Sequence, residues 1–228
     1  NRIAFTTQPQ IALRDSAGNI VTGTTATISF SVSPSATISN GTVAVNTSTG
    51  ITTFVGTSLQ GTVGSYTLSY SVTGASASSI ATVSQVISLT HGAATGLAVV
   101  QEPSSVRVGF TTSPLVIKVV DAEGNLVDTG NAATSSATVA IGAGSSIAVV
   151  GTTSVSFSAG IATFSNISVT GWAQGSMKFQ VYATPNLQST VMTSGLPMIA
   201  GVPYSLGIFT GQPTSVSAGV TQLSLIHI

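Results

Sequence analysis

The chain has no cysteine among its 228 residues, and charged side chains make up only 4% of it. The first absence excludes a disulfide framework, thiolate zinc sites and thiol chemistry. It leaves the compartment open, because a unit of about 100 residues can bury a sufficient core without covalent staples. The second absence sets the chain apart from an ordinary soluble domain, in which roughly 25% of residues are charged. Disorder does not follow, because 43% of the residues are apolar and disordered segments combine low hydrophobicity with high charge.

The five cations, Arg2, Arg14, Arg107, Lys118 and Lys178, are scattered and balanced by five acids. No basic patch exists to neutralise a run of phosphates, so no nucleic-acid partner is expected. Long apolar runs are missing too. Leu97 to Val100 and Ile147 to Val150 fall far short of the ~20 residues a spanning helix needs. No basic amphipathic stretch is present to lie on a bilayer, and membrane insertion is not expected. The sequence opens without Met or a signal peptide, which reads as an internal piece of something longer.

What the chain does have is repetition. Phe5-Thr6-Thr7-Gln8-Pro9 returns as Phe110-Thr111-Thr112-Ser113-Pro114, and Asp15-Ser16-Ala17-Gly18-Asn19 as Asp121-Ala122-Glu123-Gly124-Asn125. Gly50-Ile51-Thr52-Thr53-Phe54 returns as Gly160-Ile161-Ala162-Thr163-Phe164. A further opening is heard late in the chain, where Leu97-Ala98-Val99-Val100-Gln101-Glu102-Pro103 is echoed by Leu206-Gly207-Ile208-Phe209-Thr210-Gly211-Gln212-Pro213. Echoes in a constant order with slowly growing shifts imply small loop insertions on one scaffold. The expected division is 1–94, a repeat lacking its first strand; 95–200, a complete repeat; and 201–228, the opening of a third. The last six residues, 223–228, resemble a translated sequencing adapter, and the natural chain is expected to continue differently after about Thr221.

Within a repeat the apolar period is two rather than 3.6. In Leu115-Val116-Ile117-Lys118-Val119-Val120, Lys118 must reach solvent, which sends Leu115, Ile117 and Val119 inward, with Ile11 and Leu13 their counterparts. Asp-x-x-Gly-Asn then reads as a turn in which Gly and Asn tolerate positive φ and Asp caps its own backbone. Gly-, Asn- and Ser-rich turns recur every 8 to 12 residues or so, and about seven short strands per 100 residues predict an all-β fold of immunoglobulin-like sandwiches.

The sequence Phe-Thr-Thr-x-Pro, Val-x-Asp-Ala-x-Gly-Asn-x-Val, Gly-x-x-x-Phe and Gly-x-Tyr-Thr-Leu resembles the bacterial-type and filamin-like immunoglobulin repeats of long adhesins, surface proteins and appendages. The resemblance spans nearly the whole chain. It implies tandem sandwiches in an extracellular or cell-surface stalk or filament; near-zero net charge and Ser/Thr-faced strands with unprotected edges add self-association or neighbouring repeats as the expected partners. Met177 stands where the first repeat has Tyr66. If Tyr66 makes a tyrosine-corner hydrogen bond, the second repeat must brace that corner differently.

Chemistry-bearing residues are few. His91 is the single histidine before the final six residues and reads as a linker residue, with no carboxylate nearby in sequence to build a triad or ligand set. Asp121, Glu123 and Asp128 are the one local acidic cluster, and a calcium site is weighed against turn chemistry for them. No catalytic residue, resident metal or cofactor is assigned, and the chain is not expected to be an enzyme. Trp172, with Tyr182, is a candidate sugar-stacking surface. Sequons at Asn40, Asn46 and Asn166 mark candidate glycosylation sites. The functional expectation is a structural repeat protein of an extracellular filament, sheath or stalk. An adhesin that binds glycans through loops at the sandwich ends is the alternative, and an accessory domain of an enzyme a third.

Overall fold

The computed structural model describes residues 2–74, 80–142, 147–171 and 175–205. It is an all-β sandwich fold; the one helical element among the described residues is a single 3-10 turn, Asn131–Thr134. The opening segment expected for a third repeat falls mostly on 206–228, outside the described residues.

Eight strands build the N-terminal unit: β1 (Gln10–Ala12), β2 (Ala26–Ser33), β3 (Thr37–Ser39), β4 (Thr42–Ala44), β5 (Ile51–Thr53), β6 (Ser58–Gln60), β7 (Gly64–Gly74) and β8 (Val83–Leu89). One sheet runs β4-β2-β7-β8, and the pairs β1-β5 and β3-β6 make up the other side. Alternation places Ile28, Phe30, Leu68 and Tyr70 inward, against Leu13 and Phe54. The rings of Phe30, Phe54 and Tyr70 meet at tilted and edge-on angles, with centroids 5.5 to 6.0 Å apart. Such pairs add about 0.5–1.5 kcal/mol each beyond area burial.

The C-terminal unit follows with β9 (Gly96–Gln101), β10 (Val106–Arg107), β11 (Leu115–Val120), β12 (Ser136–Ile141), β13 (Ile147–Gly151), β14 (Ser154–Ser156), β15 (Ile161–Phe164), β16 (Ile167–Gly171), β17 (Ser176–Met177), β18 (Phe179–Thr184), β19 (Ser189–Met192) and β20 (Leu196–Ile199). Its sheets are β14-β12-β18-β19, β15-β11-β9, β13-β16 and β10-β20-β17. Leu115, Ile117 and Val119 are fully buried in a core of their own, and Lys118 turns outward to donate to the Gly124 carbonyl at 3.1 Å. The alternation read from the sequence therefore holds from Leu115 to Val119, and Val120 at the strand end is buried as well.

Matching hydrogen bonds recur in the two units. Leu13 N–H donates to Gly50 O and Val119 N–H to Gly160 O; Val21 N–H donates to Leu13 O and Val127 N–H to Val119 O. Gly50 and Gly160 have φ of 66° and 73°. A Cβ on either would lie 2.2 or 2.0 Å from the carbonyl oxygen of Val21 or Val127, so only glycine allows the chain to close over the turn there. One difference separates the units. Among the described residues β11 is paired on both sides, by β15 and β9, and β1 on one side, by β5.

Candidate functional site

Titratable groups gather where the two units meet. Asp121 N–H donates to Asn125 O at 3.0 Å and Gly124 N–H to Asp121 O at 3.1 Å, closing a turn at the end of β11. Gly124 supplies the positive φ of 80°. The expectation that Asn shares this conformation is corrected. Neither Asn19 nor Asn125 has positive φ, because the Asp side chain instead holds the Asn in place. Asp121 Oδ1 accepts from the N–H groups of Glu123 and Asn125, both at 2.9 Å, and the Asn125 amide donates to both carboxylate oxygens at 3.1 and 3.0 Å.

Two further bonds lead out of the unit. Gly92 N–H, in the connecting segment, donates to Asp121 Oδ2 at 2.8 Å. Asn125 then spans the junction. Its Nδ2 donates to Gly61 O at 3.1 Å, and its Oδ1 accepts Val63 N–H at 2.9 Å. A side-chain amide has one acceptor and two donors, and here both functions are used on one backbone loop. That loop is itself braced, because Tyr66 OH donates to Thr62 O at 2.7 Å. This is the tyrosine-corner bond weighed from the sequence, and in the C-terminal unit a buried Met177 fills the position instead. Asp121 and Asn125 are 3% and 7% exposed.

Burial pushes the Asp121 carboxyl upward, but bonds from Gly92, Asn125 and Glu123 outweigh it and hold the group below its ordinary value of 3.8. A buried carboxylate fixed in this way is a structural anion. At the rim, Arg2 Nε pairs with the Glu123 carboxylate. His91 bridges as well, with Nδ1 2.8 Å from Gly92 O, Nε2 2.9 Å from Thr129 Oγ1 and 3.2 Å from Asp128 Oδ1. His91 is thus a linker residue, as read, but one engaged with the C-terminal unit.

The three acids weighed for calcium do not converge. Asp121 faces its N–H donors, Glu123 faces Arg2 and Asp128 faces His91. Among the described residues no cluster of three metal-ligating side chains is formed. The sequons lie apart. Asn40 follows β3 with φ of 55° and donates to Gly56 O at 3.2 Å. Asn46 follows β4, its Oδ1 accepting from Ser48 and Thr49 N–H. Asn166 is exposed between β15 and β16. Trp172 lies outside the described residues; Tyr182 is on the outer face of β18, its hydroxyl bonded to Gln180 Oε1 at 2.6 Å. No helix among the described residues is long and apolar enough to cross a membrane, which does not bear on barrels. The joint made by Asn125 was not read from the sequence. Its one signal is that Asn closes both turns, and turn chemistry alone accounts for that.

No family model matches the chain, and no curated protein does. Solved structures give distant likenesses. Domains 4–9 of the surface layer protein SbsC align at 16% identity with a TM-score of 0.32, over 91% of this chain and 28% of that one. A C-terminal 282-residue fragment of intimin, solved with the intimin-binding domain of the translocated intimin receptor, aligns at 13% and 0.26, over 82% and 56%. A β-glycosidase from Bacteroides vulgatus aligns at 12% and 0.31, over 82% and 24%. The chain spans less than two thirds of each of these proteins. At TM-scores this low the likenesses decide neither family nor function.

Proposed function

We propose that the chain is a non-enzymatic, structural repeat protein of an extracellular filament, sheath or cell-surface stalk, built from sandwiches fixed end to end. The observation that carries this reading is the Asn125 joint. Burying an Asp–Asn pair to grip a neighbouring loop costs desolvation, which only full hydrogen bonding offsets. The return is a defined angle between consecutive units, which matters to a protein whose task is to transmit shape or force. Four of the ten charged side chains, Asp121, Glu123, Asp128 and Arg2, engage at or beside the junction, together with His91. Near-zero net charge supports the extended assembly, since it removes the repulsion that keeps molecules apart. An extracellular setting and occupied sequons belong to the same reading.

Negative-stain microscopy of the native protein tests it. Filaments, sheets or straight rods with an axial repeat are the expected result. Isolated globular particles, or a glycan-array signal abolished by Trp172→Ala, would overturn it in favour of a binding module.

A further inference from the structure

The segment connecting the two units carries His91, the one histidine among the described residues, and the bonds of its ring fix where a proton sits. Nδ1 lies 2.8 Å from Gly92 O. A carbonyl oxygen only accepts, so Nδ1 carries the proton, and in the neutral ring Nε2 keeps a lone pair. Nε2 faces two oxygens of the loop after Val127, Thr129 Oγ1 at 2.9 Å and Asp128 Oδ1 at 3.2 Å. The Thr129 hydroxyl can donate to the lone pair. The ionised Asp128 carboxylate cannot, because it only accepts. Two acceptors, one of them an anion, therefore stand side by side, and such a pair calls for a cation bound to both.

A proton on Nε2 is the smallest such cation, but the distance favours a larger one. Charge-assisted N–H···O bonds measure about 2.7–2.9 Å. Two ligands each about 2.0–2.1 Å from one zinc-like ion lie about 3.3–3.4 Å apart at the tetrahedral angle, and about 2.9 Å apart at a right angle. The separations of 3.2 and 2.9 Å from Nε2 lie close to these edges. The next layer of groups agrees. A metal-bound imidazole ordinarily donates its other N–H to a carbonyl or carboxylate, which fixes the tautomer and strengthens the donor nitrogen. Gly92 O accepts that bond here, and Gly92 is itself anchored through its N–H to Asp121 Oδ2 at 2.8 Å. Among the described residues no Lys or Arg pairs with Asp128, whereas Glu123 has Arg2. A negative charge without a cationic side chain thus lies beside a neutral nitrogen donor.

We propose that His91 Nε2 and Asp128 Oδ1 bind a first-row divalent transition ion of the zinc class, with the Thr129 hydroxyl as a weak third ligand and water completing the shell. An imidazole nitrogen beside a carboxylate suits Zn²⁺, Cu²⁺ or Ni²⁺, whereas Ca²⁺ and Mg²⁺ take oxygen ligands and gain little from the ring. The site is distinct from the calcium cluster weighed from the sequence, because Asp121 and Glu123 take no part in it. Two strong protein ligands make an exchangeable site, unlike the closed four-ligand sites that hold structural zinc. The ion ties the connecting segment at His91 to the loop at Asp128, and so adds a brace beside the bonds of Asp121 and Asn125. The inference does not rest on the proposed function.

The test titrates Zn²⁺ into the full chain by calorimetry, with His227→Ala in every sample so that His91 supplies the only imidazole. One-to-one binding, a raised melting temperature and a shift of the His91 Nε2 resonance with the Nδ1 proton retained are expected. His91→Ala and Asp128→Asn should each weaken binding by at least about tenfold, and Thr129→Val by less. Excess Ca²⁺ should leave Zn²⁺ in place. Zn²⁺ that does not move the Nε2 resonance overturns the proposal and leaves the contact a proton-bridged pair. Binding that survives His91→Ala, or that Ca²⁺ abolishes, overturns it as well. The resonance is read with His91, Asp128 and Thr129 all in place, so misfolding of a variant cannot mimic that result.

Discussion

The Asp15–Asn19 and Asp121–Asn125 turns share their internal bonds and differ in what covers them. Asp15 Oδ1 accepts from Ala17 and Asn19 N–H at 3.0 and 2.8 Å, and Asn19 Nδ2 donates to Oδ2 at 3.1 Å, much as their counterparts do. Yet Asp15 and Asn19 are exposed, while Asp121 and Asn125 are buried beneath the loop at Gly61 to Val63. Local sequence therefore decides the shape of the turn, and the neighbouring unit decides its energetic weight. In water a turn of this kind is a convenience of chain reversal; under a second unit it becomes a joint.

The sharpest way to break the comparison is Asp121→Ala beside Asp15→Ala. Removing the buried carboxylate strands the N–H groups of Gly92, Glu123 and Asn125, for an expected loss of about 3 kcal/mol in urea unfolding of the C-terminal unit. The Asp15 variant should lose much less, because water takes up the donors it releases. Equal losses would show that burial does not set the weight of the turn.

Next is Asn125→Ala beside Asn19→Ala. The first should cost about 1–2 kcal/mol and separate the thermal transitions of the two units, since the bonds to Gly61 and Val63 are lost. The second should leave the coupling of the units intact. A single unchanged transition in Asn125→Ala, followed by calorimetry, would mean that the rim contacts hold the junction.

Acid sharpens the same contrast. Both carboxyls lie below 3.8, Asp15 chiefly through the Asn19 side chain and Asp121 by its bonds against an opposing burial effect. Ionised groups with lowered folded-state values contribute fully above the unfolded value and lose that contribution as pH falls through the folded one. Stability should therefore decline below about pH 3.8, and the slope there should be shallower in Asp121→Ala, with Asp15 still titrating. An unaltered slope would show that Asp121 ionisation is not coupled to folding.

A smaller change concerns the cores. Thr52 is 1% exposed and its Oγ1 has no hydrogen-bond partner among the described residues, while Ala162 occupies the matching place beside Ile117. Thr52→Val should stabilise the N-terminal unit by about 1 kcal/mol, by removing a buried unpaired hydroxyl. A loss of melting temperature would show the hydroxyl to be satisfied in solution.

Much of the fold was legible because alternation speaks for itself. Lys118 set the phase of β11, and Gly50 and Gly160 marked equivalent turns. The joint was not legible, because its partners are far apart in sequence: nothing local to Asn125 announces Gly61 and Val63. Tyr66 was read as a possible corner, yet its use in bracing the loop that Asn125 grips needed the tertiary structure. The acids were nearest to being misread. Their closeness in sequence suggested a shared cation, whereas the strand end splays them toward three different partners.

The smallest expected effect is at the rim, and it tests whether burial ranks the contacts of the joint. Arg2 is 55% exposed at its side chain and Glu123 10%, so solvent reaches the pair from one side only. Exposed pairs contribute about 0–1 kcal/mol and weaken with salt. Arg2→Ala should therefore cost about 0.5 kcal/mol, against a larger loss in Asn125→Ala, and raised salt should shrink the first loss but not the second. Much of any Arg2→Ala effect should come from Glu123 left without its cation in a largely covered position. Adding Glu123→Gln to Arg2→Ala should then recover most of the loss. If the double variant stays as weak as the single, the contact acts through packing of the Arg2 stem across the junction rather than through charge.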